Sequence, residues 1–222
     1  MMKKFFAILA VIAVSAATFT SCGGSATPKT EFDSVAYAFG VDFGKHILSI
    51  DSAMNPNMIA AGIKDAVNHK EKISYEDAVA FLQEYLYVRK PAREREAGAK
   101  FLEEVKSNNP RIQQTASGLL YEIVEQGGER PESTAIVKAI YHGTLPDGKI
   151  FDSSRDRGDT LTWPLDRLIP GWTEGLMLIG KGGRIKLWMP SDLAYGERGQ
   201  GSMIPPNTPV VFDVVLVDFD ME

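Results

Sequence analysis

The sequence predicts an α+β protein: an all-α N-terminal region and a long connecting helix, followed by an antiparallel β-sheet wrapped on one short helix. Three observations carry that expectation. Apolar residues recur at three- and four-residue steps up to about residue 90. A charged stretch with few large apolar side chains follows. After Gln113 the texture changes to β-branched and aromatic runs separated by Gly, Pro, Asn and Asp. With 222 residues, 44% hydrophobic and 24% charged, the chain can build one or two cores. A net charge of -5 argues against nucleic acid as a partner, because binding phosphates needs clustered Lys and Arg.

In chain order, residues 1–21 read as a signal peptide: Lys3 and Lys4, then thirteen mostly apolar residues from Phe5 to Ala17, then small polar ones. That run is shorter than the roughly 20 residues a membrane-spanning helix needs. Cys22, the single cysteine, cannot form an internal disulfide. It is either a thiol that leaves with the leader or a lipidation site, since Phe19-Thr20-Ser21-Cys22 resembles a bacterial lipoprotein box, with Phe19 where such boxes usually carry Leu. In the second case residues 22–30 form a flexible tether and the acyl chains attach the protein to the membrane.

Residues 31–90 predict helices. Val35, Phe39, Phe43 and Ile47 share one face, with Asp33 or Ser34 as the cap. Met58, Ile59, Ile63 and Val67 share another after the turn at Asn55-Pro56-Asn57. A third helix starts at Ser74, with Asp77 three residues on. Residues 91–112 read as a solvated connecting helix, bent or broken near Pro91 and ended by Asn108-Asn109-Pro110. So few apolar residues make a thin core, which predicts that residues 31–90 dimerise. In residues 113–222, strands are expected at 119–125, 135–144, 184–189 and 210–217, with a short helix within 171–179 and a turn at Leu145-Pro146-Asp147-Gly148.

Conventional catalytic signatures are absent from the folded part. His46, His69 and His142 lie on separate elements without zinc spacing, there is no Gly-x-Ser-x-Gly elbow, and Gly180-Lys181-Gly182-Gly183 reads as a turn. No metal and no cofactor are expected. Each of Trp172, Phe212 and Leu187, taken singly, reads as core.

Five blocks together resemble a known family: Tyr141-His142-Gly143-Thr144, Gly148 to Ser154, Leu168 to Gly175, Ala194-Tyr195-Gly196 and Ile204-Pro205-Pro206-Asn207. Their order and spacing resemble the FKBP-type peptidyl-prolyl isomerases over residues 113–222. Tyr37 to Lys45 resembles the dimerisation arm of the macrophage-infectivity-potentiator-type bacterial members. The resemblance implies an enzyme that rotates X-Pro bonds in exported polypeptides, with macrolides as inhibitors, in the periplasm and anchored to the outer membrane. It implies Trp172 as a pocket floor, with Tyr141, Phe151, Ile169, Tyr195 and Phe212 around it, and Asp152 at the rim. Arg157, Leu161, Leu168, Gln200, Met203 and Ile204 are implied to meet the substrate, Arg157 by orienting Asp152. Leu161 stands where many members have Phe, and Gln200 where many have His. The competing expectation is a non-catalytic holdase whose apolar arms protect unfolded clients.

Overall fold

The computed structural model describes residues 27–220. The expected leader and Cys22 lie outside them. The chain divides into two compact units, the first ending at Lys72 and the second beginning at Ile73. Among the described residues, no helix is long and apolar enough to cross a membrane.

The first unit contains α1 (Glu31–Ile50) and α2 (Pro56–Val67). Its cap corrects the sequence expectation: Thr30, not Asp33 or Ser34, is the N-cap. The extended backbone at Thr30 lets its hydroxyl accept from the Asp33 N–H at 3.0 Å, while the Asp33 carboxylate accepts from the Thr30 N–H. Asp33 is therefore the third residue of a capping box. Asn55 caps α2, with Pro56 in its first turn, where a missing N–H costs nothing. Neither helix buries a residue. Phe32 is 86% exposed and Val67 74%, and Phe39 and Met58 are exposed beside them.

The second unit opens with α3 (Tyr75–Glu84), capped by Ser74 as expected. It continues through a π turn over Tyr85–Arg89 into α4 (Lys90–Asn108). The irregularity expected at Pro91 takes this form. The proline ring would crowd the carbonyl four residues back, and the chain widens so that the Lys90 N–H reaches Tyr85 O, five residues back. The C-terminal half of α4 is not solvated all round. Phe101, Leu102 and Val105 pack on Leu120, Trp188 and Val211, because these three apolar residues share a stripe that the surrounding charges obscure.

The strands are β1 (Gln113–Gln114), β2 (Leu120–Glu125), β3 (Ile136–Thr144), β4 (Ile150–Ser153), β5 (Leu161–Pro164), β6 (Arg184–Met189) and β7 (Val210–Asp220). They form one antiparallel sheet in the order β1-β2-β6-β7-β3-β4, with β5 also paired to β3. Two short helices interrupt them, α5 (Ser154–Arg157) and α6 (Pro170–Leu176). Burial alternates along β3, so Val137, Ala139 and Tyr141 face the core while Lys138, Ile140 and His142 face away. On the core face, α6 contributes Trp172 and Leu176, which with Ile179 meet Ile185, Leu187, Val214 and Leu216. Fully buried aliphatic side chains of this kind stabilise by about 1.5–3 kcal/mol each.

Candidate active site

Two backbone features let aromatic rings gather on this face. In β3, Gly143 stands opposite Phe212 of β7, and a β-carbon at Gly143 would lie 2.8 Å from both the Phe151 and Phe212 rings. Only glycine lets both rings close over the strand. Next, the extended backbone at Ile169 turns into α6 through Pro170, which directs Trp172 inward.

Trp172, at 3% exposure, is the centre. Its indole meets Tyr141 (centroids 5.2 Å, 85°) and Phe212 (5.3 Å, 85°). Phe212 also meets Phe151 (5.4 Å, 90°), and Phe151 meets Tyr195 (6.2 Å, 83°). Every contact is edge-to-face, the arrangement the ring quadrupoles favour. Ile204 is buried in the same core, and Leu161, Leu168 and Ile169 are partly buried against it.

A polar edge lies over these rings. The Tyr141 hydroxyl donates to Asp152 Oδ2 at 2.5 Å, and Arg157 Nη1 donates to the other carboxylate oxygen. Arg157 Nη2 lies 3.3 Å from the Tyr141 oxygen. Burial pushes the Asp152 carboxyl upward, but the hydrogen bonds from Tyr141 and Arg157 outweigh it and hold the group below its ordinary value. Burial, then the bond to Asp152, raises the Tyr141 hydroxyl. Burial, then the Asp152 charge, pushes Tyr195 up to about 12. All three therefore keep one protonation state across the neutral range.

Two donors remain unused. Among the described residues, neither the Ile169 N–H nor the Tyr195 hydroxyl has a hydrogen-bond partner, although the Ile169 carbonyl accepts from the Trp172 N–H at 2.9 Å. Gln200 and Met203 are exposed on the loop after Tyr195, where the Gln200 N–H donates to Ile204 O at 2.8 Å.

The structure thus brings Tyr141, Phe151, Trp172, Tyr195 and Phe212 into one ring cluster with Asp152 and Arg157 at its edge, and leaves Gln200 and Met203 on the surface. Sequence reasoning did not single out Ser154, whose buried hydroxyl accepts from the Tyr141 N–H at 2.9 Å and ties β3 to α5. The serine pair before Arg155 was the available signal, since serine readily bonds nearby backbone. No group of three or more His, Cys, Asp and Glu side chains is placed to hold a metal among the described residues. A groove of about 320 Å³ lined by Leu102, Lys106, Gln114, Ser117 and Pro190 shares no residue with the cluster. It lacks the pairing of free donors with an aromatic floor, so the cluster is the stronger candidate.

A family described as "FKBP-type peptidyl-prolyl cis-trans isomerase" matches residues 127–217. A second, described as "Domain amino terminal to FKBP-type peptidyl-prolyl isomerase", matches residues 32–123. The FKBP-type isomerase FkpA of Escherichia coli K12 is 37% identical over 216 residues, covering 90% of this chain and 80% of that protein. The outer membrane protein MIP of Legionella longbeachae is 32% identical, covering 97% of each. Among solved structures, E. coli FkpA superposes with a TM-score of 0.60 at 35% identity, covering 86% of this chain and 98% of that one. An isomerase from Pseudomonas syringae gives 0.55 at 35% identity, covering 59% and 96%.

Proposed function

Because this chain belongs to the FKBP-type peptidyl-prolyl cis-trans isomerase family and rotates X-Pro bonds, we propose that the cluster around Trp172 is where the rotation takes place. One observation carries the proposal: a buried indole met edge-on by aromatic rings, with two unpaired donors, the Ile169 N–H and the Tyr195 hydroxyl, on residues packed against the same core. Rotation about the C–N bond faces a barrier of about 18–20 kcal/mol because resonance must be broken. At the twisted midpoint the imide has lost charge separation, so a dry aromatic surface favours it relative to water. Tyr141, Phe151, Trp172 and Phe212 form that surface, with Leu161, Leu168 and Ile204 as side walls. The Ile169 N–H and the Tyr195 hydroxyl orient substrate carbonyls, and Asp152, steadied by Arg157, holds the polar edge. Gln200 and Met203 meet residues beside the proline. A barrier lowered by about 5 kcal/mol raises the rate by roughly four powers of ten without any proton transfer. A protease-free assay on an X-Pro peptide tests the assignment through the Trp172 and Asp152 variants discussed below. The same site would take macrolide inhibitors.

The clients are proline-containing exported polypeptides. Residues 31–90 form a homodimerisation region, 91–112 a connecting helix and 113–222 the isomerase domain. The exposed apolar faces of α1 and α2 support the pairing, since helices with no buried residue need a partner surface. Sedimentation at micromolar concentration is expected to give a dimer; a monomer would remove this part. Export to the cell envelope agrees with the layout of residues 1–21 and with a relative named as an outer membrane protein. Acylation of Cys22 would then anchor the chain to the outer membrane on its periplasmic side. The mass of the mature N-terminus decides this: an acylated Cys22 is expected, and an unmodified one rules the anchor out.

A further inference from the structure

The chain from Tyr195 to Ile204 carries four candidate site residues: Tyr195 and Ile204, packed against or within the ring core, and the exposed Gln200 and Met203. Inside the loop the backbone folds back on itself: the Gly199 N–H donates to Tyr195 O, the Ile204 N–H donates to Gln200 O, and the Ile204 side chain is fully buried. Gly196, Gly199 and Gly201 all have positive φ, and its internal bonds are short-range, such as Gln200 N–H to Ile204 O. Its base is closed by the Asn207 N–H on Gly196 O at 2.9 Å. Asn207 is itself left-handed (φ 54°) and 3% exposed, and its side-chain amide is directed to α4. Nδ2 donates to Glu94 Oε2 at 3.2 Å, and Oδ1 accepts from Arg95 Nη1 at 3.4 Å. The same Arg95 nitrogen donates to Glu197 Oε1 at 3.1 Å. One turn along the helix, a β-carbon at Gly98 would lie 2.9 Å from the Pro209 ring. The helix therefore grips the loop at Glu197, Asn207 and Pro209, while Lys90 pairs with the Glu94 carboxylate.

We infer that Glu94 and Arg95 are positioning residues for the isomerase reaction, acting through Asn207 to fix the loop that presents Tyr195, Gln200 and Met203 to the substrate. The inference rests on the Trp172 cluster being the rotation site. The rings of Tyr141, Trp172 and Phe212 come from β3, α6 and β7, to which neither the Glu94 nor the Arg95 side chain is bonded. The loop's contribution is accordingly to hold the residues flanking the proline equally in the planar and twisted states, which sets KM and leaves kcat. Glu94 carries the larger share. Asn207 is buried, so its amide needs an acceptor, whereas the Arg95–Glu197 pair is solvent-exposed and weak.

The test uses the full chain and an X-Pro tetrapeptide in a protease-free assay, with kcat and KM measured separately. Glu94→Ala is expected to raise KM roughly three- to tenfold with kcat within about twofold of wild type. Glu94→Gln, which keeps an oxygen acceptor for Asn207, returns KM to within about twofold, and Arg95→Ala gives a smaller rise. A purely structural role would instead lower both variants' activity in step with their folded fraction, and that result overturns the inference. So does an unchanged KM in Glu94→Ala while the wild type is active and Trp172→Leu is not. A fully active Trp172→Leu removes the site assignment, and the inference with it.

Discussion

A Trp172→Leu variant is expected to lose about a hundredfold in kcat/KM toward an X-Pro peptide while remaining folded. The indole is 3% exposed and is held edge-on by Tyr141 and Phe212 at 5.2 and 5.3 Å. Leucine fills only part of that volume and offers no flat face, so Tyr141 and Phe212 lose their common partner and water gains access to the floor. A hundredfold loss corresponds to about 2.7 kcal/mol of transition-state stabilisation. That matches the order of two edge-to-face contacts, at about 0.5–1.5 kcal/mol each, together with a floor no longer dry. Truncating a buried aromatic also costs stability, here about 2–4 kcal/mol. The rest of the core, with Leu176, Ile179, Leu187 and Val214 fully buried, remains. Circular dichroism establishes folding and a protease-free assay gives the rate. Near-wild-type rotation by the folded variant would refute the assignment.

Asp152→Ala is expected to lower kcat/KM about tenfold, or about 1.4 kcal/mol, by releasing the Tyr141 hydroxyl and the Arg157 guanidinium together. Its pH behaviour separates it from the tryptophan change. The folded Asp152 carboxyl lies below its ordinary value, so what its ionised form contributes is complete above the unfolded value, near 3.9, and disappears as pH falls through the lower folded one. Tyr195, raised to about 12, and Tyr141, raised by burial, act in the opposite sense. Their contribution is intact below the ordinary phenol value of about 10 and fades as pH rises beyond it. The wild-type rate should therefore be flat from about pH 5 to 9. Any fall below about pH 4 should be blunted in Asp152→Ala. A bell-shaped profile centred near neutrality would mean that a titrating base takes part, contrary to a mechanism without proton transfer.

Much of the fold was legible because its signals are local. The run Arg184–Met189 was bounded by glycine turns and Pro190, and the observed β6 has those ends. Leu145-Pro146-Asp147-Gly148 turns as its residues dictate, with Gly148 at φ 85° and its N–H bonded to Leu145 O. What escaped was non-local. The edge strands β4 and β5 are four residues each, too short to display an alternation. The docking of α4 could not be read because Phe101, Leu102 and Val105 reveal a stripe but not that Trp188, some eighty residues on, covers it. Within the candidate site, each ring alone looked like core; the order of the five blocks singled out Tyr141, Phe151, Trp172 and Tyr195 together, and Phe212, outside the blocks, followed only from the family resemblance. The edge-on angles, the idle Ile169 and Tyr195 donors and the Glu94–Asn207 bond depend on distant segments meeting, which no window of sequence contains.

The π turn at Tyr85–Arg89 has a geometric result of its own. Such a turn spends about one residue more than an α-helical turn would, and each helical residue corresponds to about 100° of rotation. The bearing of α3 about the axis of α4 is therefore encoded by a residue count in one five-residue segment. Adding or losing a single amino acid there would swing Phe81 and Leu82 around the rod like a hand on a dial, changing the heading of that face while barely altering its reach.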